Sequence, residues 1–589
     1  ARQHTVIDNM KDQGYITQKE ADAAKKYPIL DNIIPEANQY KNIKAPHFVQ
    51  MVRSELESTL GKATVGRGGL IVKTTLDIRI QSKLEEAMND MFKSYVPAWA
   101  GFSNGAATVE DTKTGQIVAL MGSRDFNYPG YGQDNAATAY LQPGSSIKPL
   151  VYAQLFQKKP TGQMNYGSGS VLKDESINSI YGAPLYNADR RFMGNITIRT
   201  GLATSRNIPA VKAMYISGVK STLSEIRDMG AKSYCTQGDE VNVGLASAIG
   251  GCGLRQVDLV NAYASLARQG VYKPQSTVLE VKNNSGEVLK KWTDTPGKKV
   301  IDPQSAYIVS DILNDDTARA PLDGYHALGM EIPDVKTSTK TGTSDKGGNA
   351  KDIWMASYSP ALTMAVWFGN SDASILTHGT SSLGGAVIAK VIEYAHKDVY
   401  AKEGKWKVGD WFARPKGIQQ VGKELYPSWW NKSQSQTNTK MVFDKVSKKK
   451  ATDLTPDGAR IELDVTKMLD PVTKKFVYIA PDGYDASKND DAHKSSDTKP
   501  RVDISAEPTG NPNVYTIRVV ATSGSPFNIT GVQVSISGTV VKNLSGSGSF
   551  SYTVKSGDKA KALSASITDS GYYTNTDSDK IPAYIDSEI

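Results

Sequence analysis

The chain has 589 residues, of which 39% are hydrophobic and 22% charged, with 51 glycines and 26 prolines. These proportions exclude wholesale disorder, collagen and coiled coil, and the length predicts about three to five domains. The net charge of +8, from 69 Lys+Arg against 61 Asp+Glu, is small for this length and spread along the chain, so no nucleic-acid partner is expected.

No run approaches the roughly 18 apolar residues of a membrane span, and no secretion signal opens the chain at Ala1. The sequence therefore reads as a piece of a longer polypeptide whose targeting segment lies upstream. Six histidines without a His-x-x-x-His pair, and two cysteines in all, predict no metal site. Cys235 and Cys252 either pair in an oxidising compartment or stay free thiols.

Residues 1–27 read as a helical tail, with a capping-type Thr17-Gln18-Lys19-Glu20 before an alanine-rich helix. Residues 28–96 read as a connector. It holds a helix near His47–Leu60, a turn at Gly66–Gly69, a strand Leu70–Thr75 and a helix from Asp77 to Phe92. Residues 97–431 open on a hairpin pattern, Ala106–Asp111 and Ile117–Leu120 around Lys113-Thr114-Gly115. A long helical region follows, and the block closes on strands Trp354–Tyr358 and Leu362–Phe368 and a helix near Gly385–Tyr394. Strands early and late with helices between predict an α/β, three-layer fold: an antiparallel sheet covered by helices. Lys432–Thr439 and Ala486–Pro500 read as linkers around a small accessory segment at 440–497, and the basic run Lys445–Lys450 as solvated surface. Residues 501–589 alternate with period two and predict an all-β, immunoglobulin-like sandwich.

The chemistry is carried by three short segments. In Gln142-Pro143-Gly144-Ser145-Ser146-Ile147-Lys148-Pro149 a turn precedes an amphipathic helix, so Ser145 and Lys148 are expected on one face of its first turn. A serine needs a neighbouring base to act as a nucleophile, and a lysine held neutral by burial can be that base. Ser205-Arg206-Asn207 and Lys340-Thr341-Gly342-Thr343 follow in order. Each triplet has decoys, among them Ser217/Lys220, Ser176/Asn178 and Lys113-Thr114-Gly115, which lie in turns or polar sequence.

The ordered set Ser-x-x-Lys, Ser-x-Asn, Lys-Thr-Gly resembles the penicillin-binding proteins, and its contexts resemble the transpeptidase half of the bifunctional class A enzymes. Those contexts include Asp352-Ile353-Trp354, Trp367-Phe368-Gly369-Asn370 and the connector run Gly68–Asp77. Residues 1–27 resemble the end of the family's glycosyltransferase domain, whose catalytic part would lie upstream. The resemblance implies a penicillin-binding-protein/serine β-lactamase-like fold and a D,D-transpeptidase of peptidoglycan stem peptides at the bacterial cell surface, membrane-attached in the full-length protein.

On that resemblance Ser145 attacks the D-Ala-D-Ala carbonyl, Lys148 takes its proton, and Lys340 adds positive field. Ser205 passes a proton to the leaving amine, and Asn207 orients Lys148 and the substrate amide. Lys340, Thr341 and Thr343 receive the substrate carboxylate, Gly342 lets a substrate lie along the strand, and the N–H groups of Ser145 and Thr343 form the oxyanion hole. β-Lactams would acylate Ser145, and no cofactor is needed. Rival readings are a D,D-carboxypeptidase or β-lactamase, for which Glu280–Asn284 is a loose match to a deacylating glutamate, and a non-catalytic β-lactam or wall-binding sensor. Trp354 and Trp367 read as core, Trp429-Trp430 as exposed or as domain docking, and the C-terminal sandwich as a surface for a wall or protein partner.

Overall fold

The structure is a computed structural model that describes residues 2–29, 31, 43–432 and 436–586. It divides into two units, Ala1–Gln154 with Val219–Pro415, and Leu155–Gly218 with Lys416–Ile589.

The first unit is built on a five-stranded sheet. Its order is Ser338–Lys346, Asn349–Tyr358, Leu362–Gly369, Asn104–Asp111, Ile117–Met121, and every pairing is antiparallel. Along Leu362–Gly369, Leu362, Met364, Val366 and Phe368 face one side, where they pack with Val109, Leu84 and Met88 and with Val387, Ile388 and Val391 of the helix Gly385–Tyr394. The opposite side is covered by the helix Gln256–Ala267, every residue of which is buried. Gln256 donates to the Ala106 carbonyl at 3.1 Å and accepts from Thr108 Oγ1 at 2.9 Å. With both faces covered, Ile117–Met121 and Leu362–Gly369 read as near-continuous apolar runs.

The expected helices and strands recur with small shifts: Pro46–Leu60, Ile71–Thr74, Ile78–Lys93 capped by Asp77, and the Thr17/Glu20 capping box before Gln18–Lys26. Two expectations change in the first unit. The sequence pattern puts Lys340–Thr343 just before the late strands, but it is itself the middle of the edge strand Ser338–Lys346. Its polar composition hides it, because its strand character comes from nine paired positions opposite Tyr358 to Asn349 and not from its own side chains. Ser145 sits on a 3₁₀ turn, Gly144–Ile147, and the α-helix starts only at Lys148. A 3₁₀ start suits a segment where Gly144 adopts φ +53° and Pro149 removes a donor.

The second unit carries the hairpin Val171–Asp174/Gly194–Thr197 and the helices Ile198–Ala203 and Asn207–Ser217. It also carries a five-stranded sheet ordered Phe476–Ile479, Arg460–Leu469, Gln436–Asp444, Lys449–Lys450, Asp485–Asn489. The linker expected at Lys432–Thr439 lies partly outside the described residues, and its end belongs to the strand Gln436–Asp444. The linker expected at Ala486–Pro500 begins inside the strand Asp485–Asn489 and then contributes the buried side chain of His493. Residues 501–581 form all-β structure, three- and four-stranded antiparallel sheets that share a core including Ile517, Val519, Val534, Leu563 and Ile567.

Candidate active site

The turn Gly144–Ile147 is pressed against the edge strand at its Gly342–Thr343 step. A methyl group on Gly144 would lie 2.1 Å from the Thr343 carbonyl oxygen, and one on Gly342 would lie 2.6 Å from the Pro143 oxygen and 2.8 Å from the Ser146 nitrogen. Glycine at both positions is thus what lets two backbones meet side by side. Behind the turn, Gly250 (φ +87°) makes the same kind of approach, with its missing methyl 2.3 Å from the Gly144 nitrogen. Leu141 and Leu254 form a bridge beside it.

Polar anchors hold the turn from three directions. Tyr263 of the buried helix donates to the Ser146 carbonyl at 2.6 Å, Trp354 Nε1 donates to the Gln142 carbonyl at 2.9 Å, and Ser146 Oγ donates to the Pro143 carbonyl at 2.7 Å. Gly144, Ser146, Ile147 and Lys148 are all buried, while Ser145 alone in that run is partly exposed. One hydroxyl therefore reaches solvent from a turn that has no freedom to move it.

Lys148 is buried without residual exposure, and Lys340 is 3% exposed. Lys340 Nζ donates to the Thr341 carbonyl at 2.8 Å. Burial pulls the Lys340 ammonium down to about 8, against the opposing pull of Asp323. Burial in turn raises Asp323, with the charges of Lys340 and Arg319 acting against it. Thr341 and Gly342 are buried and Thr343 is partly exposed on the same strand. The first unit thus brings together Ser145, Lys148, Lys340, Thr341, Gly342 and Thr343.

Ser205 and Asn207 belong to the second unit, where a buried network shapes their segment. Ser205 takes φ +57°, a left-handed backbone unusual for serine. Arg206, between them, donates from Nε to Asp174 at 3.0 Å, from Nη1 to Asp189 at 2.7 Å, and to the Arg191 carbonyl. Asn187 donates to Asp174 at 2.8 Å and accepts from the Asn207 N–H at 2.8 Å, which caps the helix Asn207–Ser217. Asn207 Nδ2 donates to the Tyr186 carbonyl at 2.8 Å.

Residues 105–393 match the family model of the penicillin binding protein transpeptidase domain. They form a penicillin-binding protein transpeptidase domain. Among curated proteins the chain is 28% identical over 387 residues to penicillin-binding protein 1A/1B of Bacillus subtilis, covering 62% of this chain and 40% of that one. It is 28% identical over 428 residues to penicillin-binding protein 1F of the same organism, covering 71% and 55%. The chain thus spans roughly half the length of these relatives. The penicillin-binding protein PonA1 of Mycobacterium tuberculosis shares the fold, with TM-score 0.53, 23% identity and coverage of 65% of this chain and 97% of that one. A structure of PonA1 in complex with penicillin V gives TM-score 0.50 at 23% identity, over 63% and 99%.

Several residues of the transpeptidase domain escape a motif reading. Tyr263, Gly250, Asp323, Asp174 and Asn187 lie outside the three triplets, and Arg206, which Asp174 holds, carries a signal only as the residue enclosed by Ser205 and Asn207. Trp354 and Trp367 are core, at 0% and 2% exposure, with Trp367 Nε1 donating to Asp352 at 3.0 Å. Trp430 stacks on Tyr426 and Trp429 donates to the Phe156 carbonyl at 3.2 Å, both within the second unit. Glu280, the loose match to a deacylating glutamate, lies on a strand opposite Lys73 and Lys291 and pairs with Lys282 at 3.0 Å. Cys235 and Cys252, whose state the sequence leaves open, form a disulfide.

Proposed function

We propose that this chain is a serine D,D-transpeptidase of peptidoglycan stem peptides and that β-lactams acylate the same serine. The observation that carries the reading is the half-exposed Ser145 on a rigid turn, packed against a sheet edge that presents Lys340, Thr341 and Thr343. An edge strand offers unpaired backbone groups along which an extended peptide can lie, and a lysine with two threonines suits a peptide that ends in a carboxylate.

In the proposed reaction Ser145 Oγ attacks the carbonyl between two D-alanines while neutral Lys148 takes its proton. The backbone N–H groups of Ser145 and Thr343 hold the developing oxyanion. The C–N bond breaks, the terminal D-alanine leaves as an amine with a proton passed through Ser205, and an ester remains on Ser145. An amine from a neighbouring strand then attacks the ester, forming the cross-link and returning the proton to Ser145. Asn207 orients Lys148 and the substrate amide. A β-lactam opens on the same oxygen, but its amine stays tethered, so the ester persists.

Around this centre, residues 1–27 are the end of a glycosyltransferase domain, 28–96 a connector, 97–431 the transpeptidase domain, 440–497 an accessory module and 501–589 an immunoglobulin-like sandwich for a wall or protein partner. The enzyme works outside the cytoplasm, attached to the membrane in the longer protein.

The test is labelling with a fluorescent penicillin, followed by intact-mass measurement and peptide mapping, on the wild type, Ser145→Ala and Lys148→Ala. A single adduct on Ser145, absent in Ser145→Ala and formed at least 100-fold more slowly in Lys148→Ala, is expected from a nucleophile and its base. An adduct that survives Ser145→Ala sinks the assignment.

A further inference from the structure

The cluster that the transpeptidase chemistry leaves unused lies in the second unit, where the five-stranded sheet meets the C-terminal strands. His493 has no exposed side-chain surface, and its Nε2 lies 2.9 Å from the carbonyl oxygen of Gly571. A carbonyl only accepts, so Nε2 carries the hydrogen. Nδ1 then faces two carboxylates, Asp490 Oδ2 at 2.7 Å and Asp444 Oδ1 at 3.7 Å. A neutral ring would aim a lone pair at both. The position must therefore hold positive charge, either a second ring proton or a cation between Nδ1 and the carboxylates.

The partners of the carboxylates separate the two. Asp490 accepts from Thr455 Oγ1 at 2.6 Å and from the Ala492 N–H at 2.9 Å. Asp444 accepts from the Ser447 N–H through Oδ2, but its Oδ1 is buried with no hydrogen-bond partner, on a side chain with no exposed surface. A proton on Nδ1 serves Asp490 and leaves that oxygen unpaired; an ion touching all three leaves none unpaired. Charge points the same way, since a divalent ion beside a neutral imidazole sets one more positive charge than an imidazolium against the buried carboxylates.

Asp569, on the same turn as Gly571, adds another buried carboxylate oxygen without a partner. Lys445, which follows Asp444, directs its ammonium to the Gly458 carbonyl at 2.8 Å and over the Tyr572 ring.

We infer that Asp444, Asp490 and His493 form a buried binding site for a divalent cation, which ties the accessory sheet to the C-terminal strands. His493 Nδ1 lies 2.7 Å from Asp490 Oδ2 and 3.7 Å from Asp444 Oδ1, separations that one ion with bonds of about 2.0–2.2 Å bridges, and the three ligand atoms all lie within 4.8 Å of one another. One imidazole nitrogen and carboxylate oxygens suit zinc, and the second ring nitrogen bonded to a backbone carbonyl is the arrangement that orients a metal-bound histidine. The site is closed by Phe527 and Tyr573, whose rings lie 5.3 and 5.6 Å from the imidazole, so the ion is structural. The expectation of no metal rests on paired histidines and thiols, and a site built on carboxylates with one histidine falls outside it.

The experiment uses the full chain, unfolded in denaturant with a chelator and refolded with or without zinc. Expected are about one zinc ion retained per chain after gel filtration and a melting temperature several degrees higher than in the zinc-free sample. Both effects should disappear in Asp444→Asn and His493→Gln, with penicillin labelling of Ser145 equal throughout. Nitrogen NMR of the wild-type ring gives a readout independent of any variant: loss of the Nδ1 proton on zinc addition supports the site. Zinc retention no greater than in the variants, or a ring protonated at both nitrogens with zinc present, shows that a proton alone fills the position and overturns the inference.

Discussion

The proposed reaction uses the charge of Lys340, and burial makes that charge costly to hold. Its ammonium, lowered from 10.5 to about 8 by desolvation, is nearly out of water yet still cationic at pH 7. Because the folded pKa lies below the unfolded one, the unfolded chain binds the proton more tightly, and stability rises with pH between about 8 and 10.5. Below pH 8 holding the charged form in the fold costs on the order of 3 kcal/mol, since each tenfold weakening of proton binding is worth ~1.4 kcal/mol. Lys340→Met is therefore expected to melt at or above the wild-type temperature at pH 7 while acylation by a carboxylate-bearing β-lactam falls about 100-fold, the scale of losing one charged donor to the reacting group. Differential scanning calorimetry and stopped-flow labelling read the two effects separately. The wild-type acylation rate should fall as pH rises through about 8. Asp323→Asn, which removes the opposing charge, should move that limb to lower pH, and an unmoved limb would dissociate it from Lys340.

Among the elements, the least readable from sequence are those whose geometry is imposed by neighbours. The helix Gly385–Tyr394 and the strand Leu362–Gly369 are visible because their own apolar residues supply their driving force. Ser338–Lys346 is polar and becomes a strand by pairing with Asn349–Tyr358, so its motif is readable and its conformation is not. The motif serine Ser145 is likewise readable, but its 3₁₀ turn depends on Gly250, Tyr263 and Trp354, which are distant in sequence.

The same reasoning assigns Arg206 a positioning role. Its guanidinium holds Asp174, Asp189 and the Arg191 carbonyl at once, which a point-charge ammonium cannot do. Arg206→Lys is expected to slow acylation by about 10-fold or more, with the adduct still on Ser145, because Ser205 relaxes from φ +57°. Equal rates in the two proteins would remove the role. The disulfide acts on the turn from behind, since Cys252 lies two residues from Gly250. Replacing both cysteines with alanine should lower stability by about 3 kcal/mol, the chain-entropy value for a loop of this order, and calorimetry of the oxidised wild type and the double variant measures it.

At the scale of the whole molecule, the segment that carries Ser205 and Asn207 rests on residues from the far end of the chain. Lys212, on the helix that Asn207 begins, is completely buried and pairs with Asp470 at 2.7 Å and with Glu175 at 3.4 Å. Asp470 lies between Arg460–Leu469 and Phe476–Ile479 of the five-stranded sheet, where Met468 and Val477 pack on Val171. Burial would raise the Asp470 carboxyl, but the Lys212 charge and hydrogen bond hold it below the usual value. A depressed folded pKa means that this contribution is present at neutral pH and is lost as pH falls through the acid range.

Removing one member of a buried pair leaves the other charge desolvated, at about 3–5 kcal/mol, whereas replacing both with apolar groups is often nearly neutral. Asp470→Ala is thus expected to destabilise the second unit by that amount and to slow penicillin labelling, while Lys212→Met with Asp470→Leu restores most of the stability. Thermal unfolding and labelling of the three proteins in parallel decide it. If Asp470→Ala labels and melts like the wild type, the accessory sheet does not support the segment bearing Ser205 and Asn207. If the single variant fails and the double variant recovers, the sheet supports that segment through one buried charge pair.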